Sequence, residues 1–213
     1  MRRAALLLVV LSAVPAVMQA QLCTGQAPWS SGSIKAGGRV EFGDGFTDIL
    51  GNLSFGKDHG LFLGAGAGIS NGGGETAFIV EGGIGKELSK PVSGKLELCP
   101  VANVLIQFPK NDFSFQEFSG GVSGGYPVQM SSSNMALILT GAAQLAVDHE
   151  SISASACNTS GVDCSNTDIL GIFDAGVGLV FNNRISLVPV LRIPTRGGIS
   201  LRIGANVAVG KKK

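Results

Sequence analysis

The sequence predicts an all-β membrane protein of about ten antiparallel strands. Apolar and polar residues alternate with period two along most of the chain, as in strands that have two different faces. The apolar faces are almost free of charge, whereas the opposite faces are mostly Gly, Ser and Ala with about one charge per strand. No internal apolar run reaches the roughly 18 residues that a membrane-spanning helix needs. Together these observations favour strands, rather than helices, that contact lipid.

Residues 1–20 have the composition of a secretory signal peptide. Arg2 and Arg3 form a charged n-region, an apolar run follows, and small residues lead up to Ala20. The apolar run is short for a retained membrane anchor. We therefore expect an exported protein whose signal is cleaved after Ala20, with cleavage after Ala16 as the alternative. Residues 21–32 are a polar lead that precedes the first strand.

The period-two segments define the predicted strands in chain order. The first, SIKAGGRVEFG, places Ile34, Val40 and Phe42 on one face and its three charges on the other. Pro100 and Pro189 fall inside two later strands, where each removes a donor from the ladder. A count of eight strands is the alternative to ten. The ten predicted strands are 33–43, 47–56, 60–70, 76–87, 93–107, 115–128, 135–148, 167–182, 184–194 and 198–210.

The composition of the polar faces decides which way the strands point. In a soluble ligand-binding barrel the apolar faces would line the interior, and the outer surface would be dense with Lys, Glu and Thr. Here the polar faces carry small residues and a balanced set of charges, which suits a narrow lumen where charges pair. We therefore predict that the apolar faces contact lipid. The predicted lumen charges are Lys35, Arg39, Glu41, Glu81, Lys95, Glu97, Glu117, Asp174, Arg192 and Arg202.

With this pattern the chain resembles the small outer-membrane β-barrel proteins of diderm bacteria over roughly residues 33–210. The resemblance implies a closed antiparallel up-and-down transmembrane barrel, because only closure satisfies every backbone polar group in lipid. It also implies location in the outer membrane, in contact with lipid and lipopolysaccharide. We expect a monomer without a cofactor, and a net charge of +1 gives no reason to expect a nucleic-acid partner.

The segments between the strands alternate in character, as the two ends of such a barrel do. One set comprises GDGF, SNGGGE, the stretch around Pro109, the long segment 149–166 and TRGG; with a periplasmic N-terminus this set faces outside. The other comprises KDHG, the turn near Ser89, MSSSN and Asn182–Asn183. Short periplasmic turns and longer outer loops are typical of outer-membrane barrels. Lipid-facing aromatic residues are expected at both interfaces: Phe42, Phe78 and Phe118 outside, and Phe55, Tyr126 and Phe181 on the periplasmic side.

Four cysteines suit an exported protein. Cys157 and Cys164 lie seven residues apart in a polar segment and would close a small loop. Cys23 and Cys99 are the second predicted pair, with two free thiols as the alternative. That second disulfide would tie the lead 21–32 to the lumen side of the fifth strand and make the lead a partial plug.

His149 and Ser151, with Glu150 between them, are weak candidates for catalysis. A His–Ser pair on one strand face with a nearby carboxylate can in principle cleave an ester. Lipid A deacylases use a similar His-x-Ser pair, and Asp148–His149 is similar to the rim residues of omptin proteases, but neither similarity extends further along this chain. The glycine-rich GAGAGISNGGG lacks the Lys-Ser or Lys-Thr of a phosphate loop, and no metal-ligand spacing is present. We therefore do not expect an enzyme.

The function that these features favour is structural or surface-facing. It comprises membrane integrity, adhesion or interaction with an extracellular partner through the loop 149–166. Porin-like transport of small or hydrophobic solutes is the alternative. A lipid A esterase that uses His149 and Ser151 is a further, weaker alternative.

Overall fold

The computed structural model describes residues 22–26, 34–56, 60–88, 96–108, 113–128, 134–152 and 164–209. These residues form a closed barrel in which each strand pairs antiparallel with its neighbours in sequence, and β1 closes the barrel on β10. The predicted fold class and the count of ten strands are confirmed. The strands are β1 (Ile34–Gly43), β2 (Phe46–Gly56), β3 (Leu61–Gly72), β4 (Glu75–Lys86), β5 (Glu97–Phe108), β6 (Phe113–Val128), β7 (Met135–Ile152), β8 (Ser165–Phe181), β9 (Ile185–Pro194) and β10 (Ser200–Val209).

One short helix precedes the barrel, a 3-10 turn at Leu22–Thr24. No helix in the described ranges is long and apolar enough to cross a bilayer. The signal segment 1–20, most of the lead 21–32, Lys95 and Cys157 lie outside the described residues.

The barrel has two ends, which we call the terminal rim and the far rim. The terminal rim is the end where β1 begins and β10 ends, and it carries the tight turn between β8 and β9. Asn182 and Asn183 adopt φ values of 50° and 54° in that turn, the left-handed conformation that two-residue hairpins favour. The far rim is the opposite end, which carries the β1–β2 turn at Gly45 and the β3–β4 turn at Gly73 and Gly74, all with positive φ.

Alternation along the strands separates an outer apolar surface from an inner polar one. In β10, Leu201 is 41% exposed and Val207 is 46% exposed. Asn206, which lies between them in sequence on the other face of the strand, is only 5% exposed. This barrel therefore presents its large apolar side chains outward, the reverse of a soluble globule. Inside, two small apolar clusters lie towards the two rims: Ala136, Ile138 and Val180 at the terminal rim, and Ala146, Leu170 and Ile172 towards the far rim.

Aromatic side chains mark the two edges of the outer apolar surface. Phe42, Phe78 and Phe118 are about half exposed near the far rim, and Phe108 joins them with its ring centroid 6.3 Å from that of Phe78. Phe55 and Tyr126 are exposed near the terminal rim, and Phe181 is partly exposed there. Aromatic residues at both edges are what a membrane-spanning barrel requires at its two interfaces.

The structure corrects the predicted bounds of the long loop 149–166. Strand β7 continues to Ile152 and β8 begins at Ser165, so residues 149–152 and 165–166 pair in the sheet. The sequence pattern missed this because both faces of a strand become polar once it extends beyond lipid. Strand β5 is described from Glu97, and residues 93–95 of the predicted strand 93–107 lie outside the described residues.

The two prolines lie within strands, as the pattern predicts. Pro100 lies opposite Val122 in the β5–β6 ladder. The β8–β9 ladder passes from Gly176–Val190 to Leu179–Leu187 in an unchanged register, so only the pairing of the two positions between them, one of which is Pro189, is interrupted. Because proline cannot donate a backbone hydrogen bond, an interrupted ladder at this position is expected.

Candidate functional site

Three arginine–glutamate pairs at hydrogen-bond distance lie in the part of the lumen towards the far rim, among the described residues. Arg39 Nη1 of β1 lies 2.9 Å from Glu81 Oε2 of β4, and Arg192 Nη2 of β9 lies 2.6 Å from Glu117 Oε2 of β6. In each of these pairs the two strands are three apart around the barrel, so the side chains reach across the lumen. The third pair joins direct neighbours.

That third pair is built around Glu41, which is 5% exposed. Glu41 accepts hydrogen bonds from Arg202 Nε (3.0 Å) and Nη2 (2.9 Å) and from the Ser200 hydroxyl (2.7 Å). Arg39 Nη2 also lies 3.8 Å from Glu41. The carboxylate is therefore held by three donors on β10, and charge-assisted bonds of this kind are the stronger class.

A chain of amides extends the polar layer along the opposite wall. Asn103 Nδ2 donates to Gln144 Oε1 at 2.9 Å, and Gln144 Nε2 donates to Asp174 Oδ2 at 3.4 Å. This chain links β5, β7 and β8. These hydrogen bonds and the ion pairs together connect strands on different sides of the lumen.

A second group of charges lies at the terminal rim. Lys35 is 0% exposed, its Nζ donates to Gln26 Oε1 at 3.5 Å, and it interacts electrostatically with Glu87. Glu97 is also buried at this end. Among the predicted lumen charges, only Lys95 lies outside the described residues.

Residues 22–26, which we call the N-terminal segment, lie inside the barrel at the terminal rim. A disulfide joins Cys23 to Cys99 on the lumen face of β5 with a Cα–Cα distance of 6.0 Å, and both residues are fully buried. The Thr140 hydroxyl of β7 donates to the Cys23 carbonyl oxygen at 3.2 Å. The predicted pairing of Cys23 with Cys99 is present, and it holds the segment in the lumen.

Two glycines allow the N-terminal segment to lie against the barrel wall. Gly25 has a φ of 67°, a left-handed conformation that glycine adopts readily. Its backbone lies so close to Gly178 of β8 that a side chain at position 178 would collide with the Gly25 carbonyl group. The segment therefore contacts the wall at β8, three strands away from the disulfide on β5.

A cavity of about 340 Å³, lined by both apolar and polar residues, lies between the N-terminal segment and the three arginine–glutamate pairs. The segment contributes Cys23, Thr24 and Gln26 to its wall. The polar side chains that the strands contribute are Arg39, Asn52, Ser54, Glu81, Asn103, Glu117, Ser119, Ser123, Thr140, Gln144, Asp174, Arg192, Arg202 and Asn206.

The predicted catalytic residues lie at the far rim and do not reach this cavity. His149 Nδ1 is bonded to Thr167 Oγ1 on β8 at 2.9 Å. The Ser151 hydroxyl is bonded to the Ser114 hydroxyl on β6 at 2.6 Å, and Glu150 is exposed. Because the two side chains bond to different neighbouring strands, the geometry describes cross-strand pairing. Within the described ranges no three His, Cys, Asp or Glu side chains are grouped so as to hold a metal ion.

The second predicted disulfide is only partly within the described residues. Cys164 is disulfide-bonded. Its predicted partner Cys157 lies outside the described residues, so that pairing stays a prediction.

Several uncharged lumen residues are absent from the set that the sequence predicts. Asn52, Asn103, Gln144 and Asn206 line the cavity. Each lies on the same strand face as the charges, so period-two spacing alone could have identified them. The prediction considered only charged side chains and therefore missed the amides.

Comparisons with known proteins identify the fold. No protein-family model matches the sequence, and no curated protein sequence matches it. The solved beta domain of the Bordetella autotransporter BrkA is 10% identical, with a TM-score of 0.52 over 84% of this chain and 100% of that chain. A bacterial polysaccharide outer membrane secretin is 8% identical with a TM-score of 0.44 over 78% of this chain, which spans 57% of the secretin chain. The KdgM porin in complex with disordered oligogalacturonate is 9% identical, with a TM-score of 0.42 over 83% and 99% of the two chains.

These solved structures similar to this chain are bacterial outer-membrane β-barrels, and the match to the BrkA beta domain, with its TM-score above 0.5, shows that this chain shares the barrel fold. At such low identities the likeness concerns the fold alone.

Proposed function

We propose that this protein is an outer-membrane β-barrel that does not conduct solutes and that acts at the cell surface, in membrane integrity, adhesion or binding of an extracellular partner. The observation that supports a closed lumen is the disulfide between Cys23 and Cys99, which keeps the N-terminal segment inside the barrel. In this proposal residues 1–20 are a cleaved signal. The terminal rim faces the periplasm and the far rim faces outside.

The dimensions of the barrel favour a closed lumen. Small barrels have an interior just wide enough to be filled by side chains, and wide aqueous channels need more strands. Here two ion pairs already cross the lumen from β1 to β4 and from β6 to β9. The N-terminal segment occupies the terminal rim below them. A solute would also have to pass this segment, which the disulfide holds in place.

The shape of the far rim supports a surface role. Strand β7 continues for five residues beyond Val147, the residue opposite Phe118, which amounts to about 16 Å at 3.3 Å per residue. Residues 113–116, 149–152 and 165–167 form the end of β6, β7 and β8 beyond the ladder pair Glu117–Asp148, and we call this end the β6–β8 projection. By contrast, the β1–β2 turn begins two residues after Phe42. One side of the barrel therefore stands above the aromatic edge and offers a surface for a partner.

Thiol labelling in intact cells tests the proposed orientation. We expect Thr167→Cys, in the β6–β8 projection, to react with a membrane-impermeant maleimide in intact cells. Asn134→Cys, at the start of β7 on the terminal rim, serves as the matched control and should react only after the cells are lysed. Labelling of Asn134→Cys in intact cells, with Thr167→Cys protected, would overturn the orientation.

Single-channel recording tests the closed lumen. We expect the purified oxidised protein to insert into planar bilayers without discrete conductance steps. The Cys23→Ser/Cys99→Ser variant, in which the N-terminal segment is released, should show more frequent conductance steps than the wild type. Regular steps from the oxidised wild-type protein would contradict a closed lumen.

Transport of small solutes is the second candidate function. The cavity of about 340 Å³ favours it, because a solute-sized space already exists in the lumen. Uptake of a small solute by liposomes that contain the oxidised wild-type protein would support transport over the surface role.

A further inference from the structure

We propose that the lumen cavity is a binding site for a small, neutral, hydroxyl-rich solute, of the size of a monosaccharide, a disaccharide or a polyol. The site goes beyond the surface role and requires no passage through the barrel. The proposal rests on three features of the cavity: its size, its unpaired donors and acceptors, and its balance of charge.

The size and lining of the cavity suit a small polar ligand. Its volume of about 340 Å³ lies within the range of roughly 300 to 1,000 Å³ that is usual for ligand pockets. Its wall presents amides and hydroxyls from five strands, together with Thr24 and Gln26 of the N-terminal segment. Such groups donate and accept hydrogen bonds without carrying charge.

Several buried donors and acceptors on this wall make no hydrogen bond within the described part of the chain, although Arg39 Nη2 has its 3.8 Å ion-pair contact with Glu41. Arg39 Nε and Nη2 are donors of this kind, and Asn52 Oδ1 and Asp174 Oδ1 are acceptors. All three residues line the same cavity. Because a buried polar group without a hydrogen bond costs free energy, such groups in native structures usually meet a ligand or an ordered water.

The positions of these residues allow one ligand to reach all of them. Arg39 and Asn52 lie diagonally opposite each other on the paired strands β1 and β2. Asp174 lies on β8, three strands away from β1 in the other direction. These side chains therefore line the cavity on two sides, with Arg39 and Asn52 on one side and Asp174 on the other.

The charge balance of the wall selects a neutral ligand. The guanidinium groups of Arg39, Arg192 and Arg202 each pair with a glutamate, so an anion finds no unpaired cation. A cation would satisfy Asp174 and Asn52 but would leave the Arg39 donors unpaired and would lie among three guanidinium groups. A hydroxyl group both donates and accepts, and a molecule with several hydroxyls can satisfy both kinds of group at once.

The ligand is expected to enter from the far rim. Cys23, Cys99 and Lys35, at the terminal side of the cavity, are fully buried. The side chains of Arg39, Glu81 and Arg202 above the N-terminal segment retain 11%, 19% and 20% exposure. The cavity is therefore closed by the N-terminal segment on one side and accessible on the other.

Isothermal titration calorimetry on the folded, oxidised protein in detergent tests the site. The neutral probes are D-glucose, maltose and glycerol, and the charged probes of matched size are gluconate and glucosamine. We expect saturable binding of at least one neutral probe, and binding of gluconate and glucosamine at least about tenfold weaker, because each leaves buried groups unpaired. No saturable heat from any neutral probe up to about 100 mM would overturn the proposal, since even weak specific sites saturate in that range. Equal or tighter binding of a charged probe would overturn the assigned class.

Paired asparagine variants localise the binding. Asn52→Ala should weaken the neutral probe by about tenfold, because one hydrogen bond to a buried group is lost. Asn71→Ala, which removes the same side chain at an exposed site near the far rim, should leave the affinity unchanged. Asn103→Ala provides a second cavity variant if Asn52→Ala does not fold. Equal affinities for wild type, Asn52→Ala and Asn103→Ala would place any observed binding outside the cavity. Because these measurements detect binding without conduction, a conducting barrel would leave them interpretable.

Discussion

At the scale of single residues, the lumen depends on charges that meet their partners out of reach of bulk water. The side chains of Arg192 and Glu117 are only 16% and 13% exposed. Burying such a pair brings little net stability, because desolvation offsets the attraction, but removing one partner leaves an uncompensated charge. The intact pair therefore adds little to the free energy of unfolding, whereas the loss of one partner lowers it strongly.

Breaking this pair should destabilise the barrel. We expect Arg192→Met to lower the free energy of unfolding by about 3 kcal/mol, because Glu117 is left buried without its cation. Arg196→Met is the matched control, since Arg196 pairs with Asp168 at the far rim with both side chains well exposed, and its loss should cost less than about 1 kcal/mol. Urea titrations in detergent or lipid vesicles measure both. Equal losses from the two variants would contradict the distinction between lumen and rim.

The sequence predicts which residues face the lumen but not which residues pair. Strand alternation placed Arg39, Glu81 and Glu117 on one face, and the structure places them along the cavity. The pairs Arg39–Glu81 and Arg192–Glu117 join strands that are three apart. Such pairings depend on the tilt and stagger of the closed barrel, which no local pattern records.

At the scale of elements, the N-terminal segment and β8 fit closely. The Cys23–Cys99 disulfide fixes one side of the segment, and Gly25 against Gly178 fixes the other. The lead was predicted as a partial plug from the cysteine positions alone. The close contact of this segment with Gly178 could not be predicted, because a single glycine in a strand can have several structural causes.

Enlarging Gly178 should loosen the N-terminal segment. A methyl group at this position meets the Gly25 backbone, and overpacking of this kind costs about 1 to 3 kcal/mol. We expect dithiothreitol to reduce the Cys23–Cys99 disulfide about tenfold faster in Gly178→Ala than in wild type, since a factor of ten corresponds to about 1.4 kcal/mol. In Gly204→Ala the nearest atom to the new methyl group, the Val188 carbonyl oxygen, is 3.9 Å away, so this control should match wild type. Identical reduction rates in all three proteins would show that position 178 does not seat the segment.

The strands themselves were predicted well because their outer faces are uniformly apolar. The errors concentrate at β7 and β8, where the pairing of His149 with Thr167 and of Ser151 with Ser165 continues beyond the aromatic edge. There the faces are no longer distinguished by hydrophobicity, so the period-two signal fades before the strand ends.

The outer face of β6 offers a test of the lipid contact. Val122 lies four residues from Phe118 and four from Tyr126, about 13 Å from each along the strand, and is 46% exposed on the same face. We expect Val122→Lys to lower the free energy of unfolding in lipid vesicles by about 2 to 4 kcal/mol, because the charge lies near the bilayer centre. Val122→Met, similar in length but uncharged, should change stability by less than about 1.5 kcal/mol. If Val122→Lys were as stable as Val122→Met, the face would be in water.

At the scale of the whole molecule, the pairing of β1 with β10 leaves the barrel without a free edge. The ladder runs from Ile34–Val209 to Phe42–Leu201. With the ring of ten strands closed, the outer surface can be apolar and still leave no strand edge unpaired in lipid. The inner surface then carries the polar groups, the N-terminal segment and the cavity. A closed barrel inverted in this way is expected to need lipid or detergent around its apolar outer surface.

The heat modifiability of the protein in an outer-membrane fraction tests most directly whether the chain forms a closed barrel whose apolar surface contacts lipid. Unboiled and boiled samples are compared on a denaturing gel, with and without reductant. We predict that the protein is found in the outer-membrane fraction. The unboiled band should migrate faster than the boiled band, because the closed barrel remains folded in detergent. Reductant should shift the boiled band, because it opens the disulfides. Recovery from the soluble periplasm, with the same migration before and after boiling, would contradict a lipid-facing barrel.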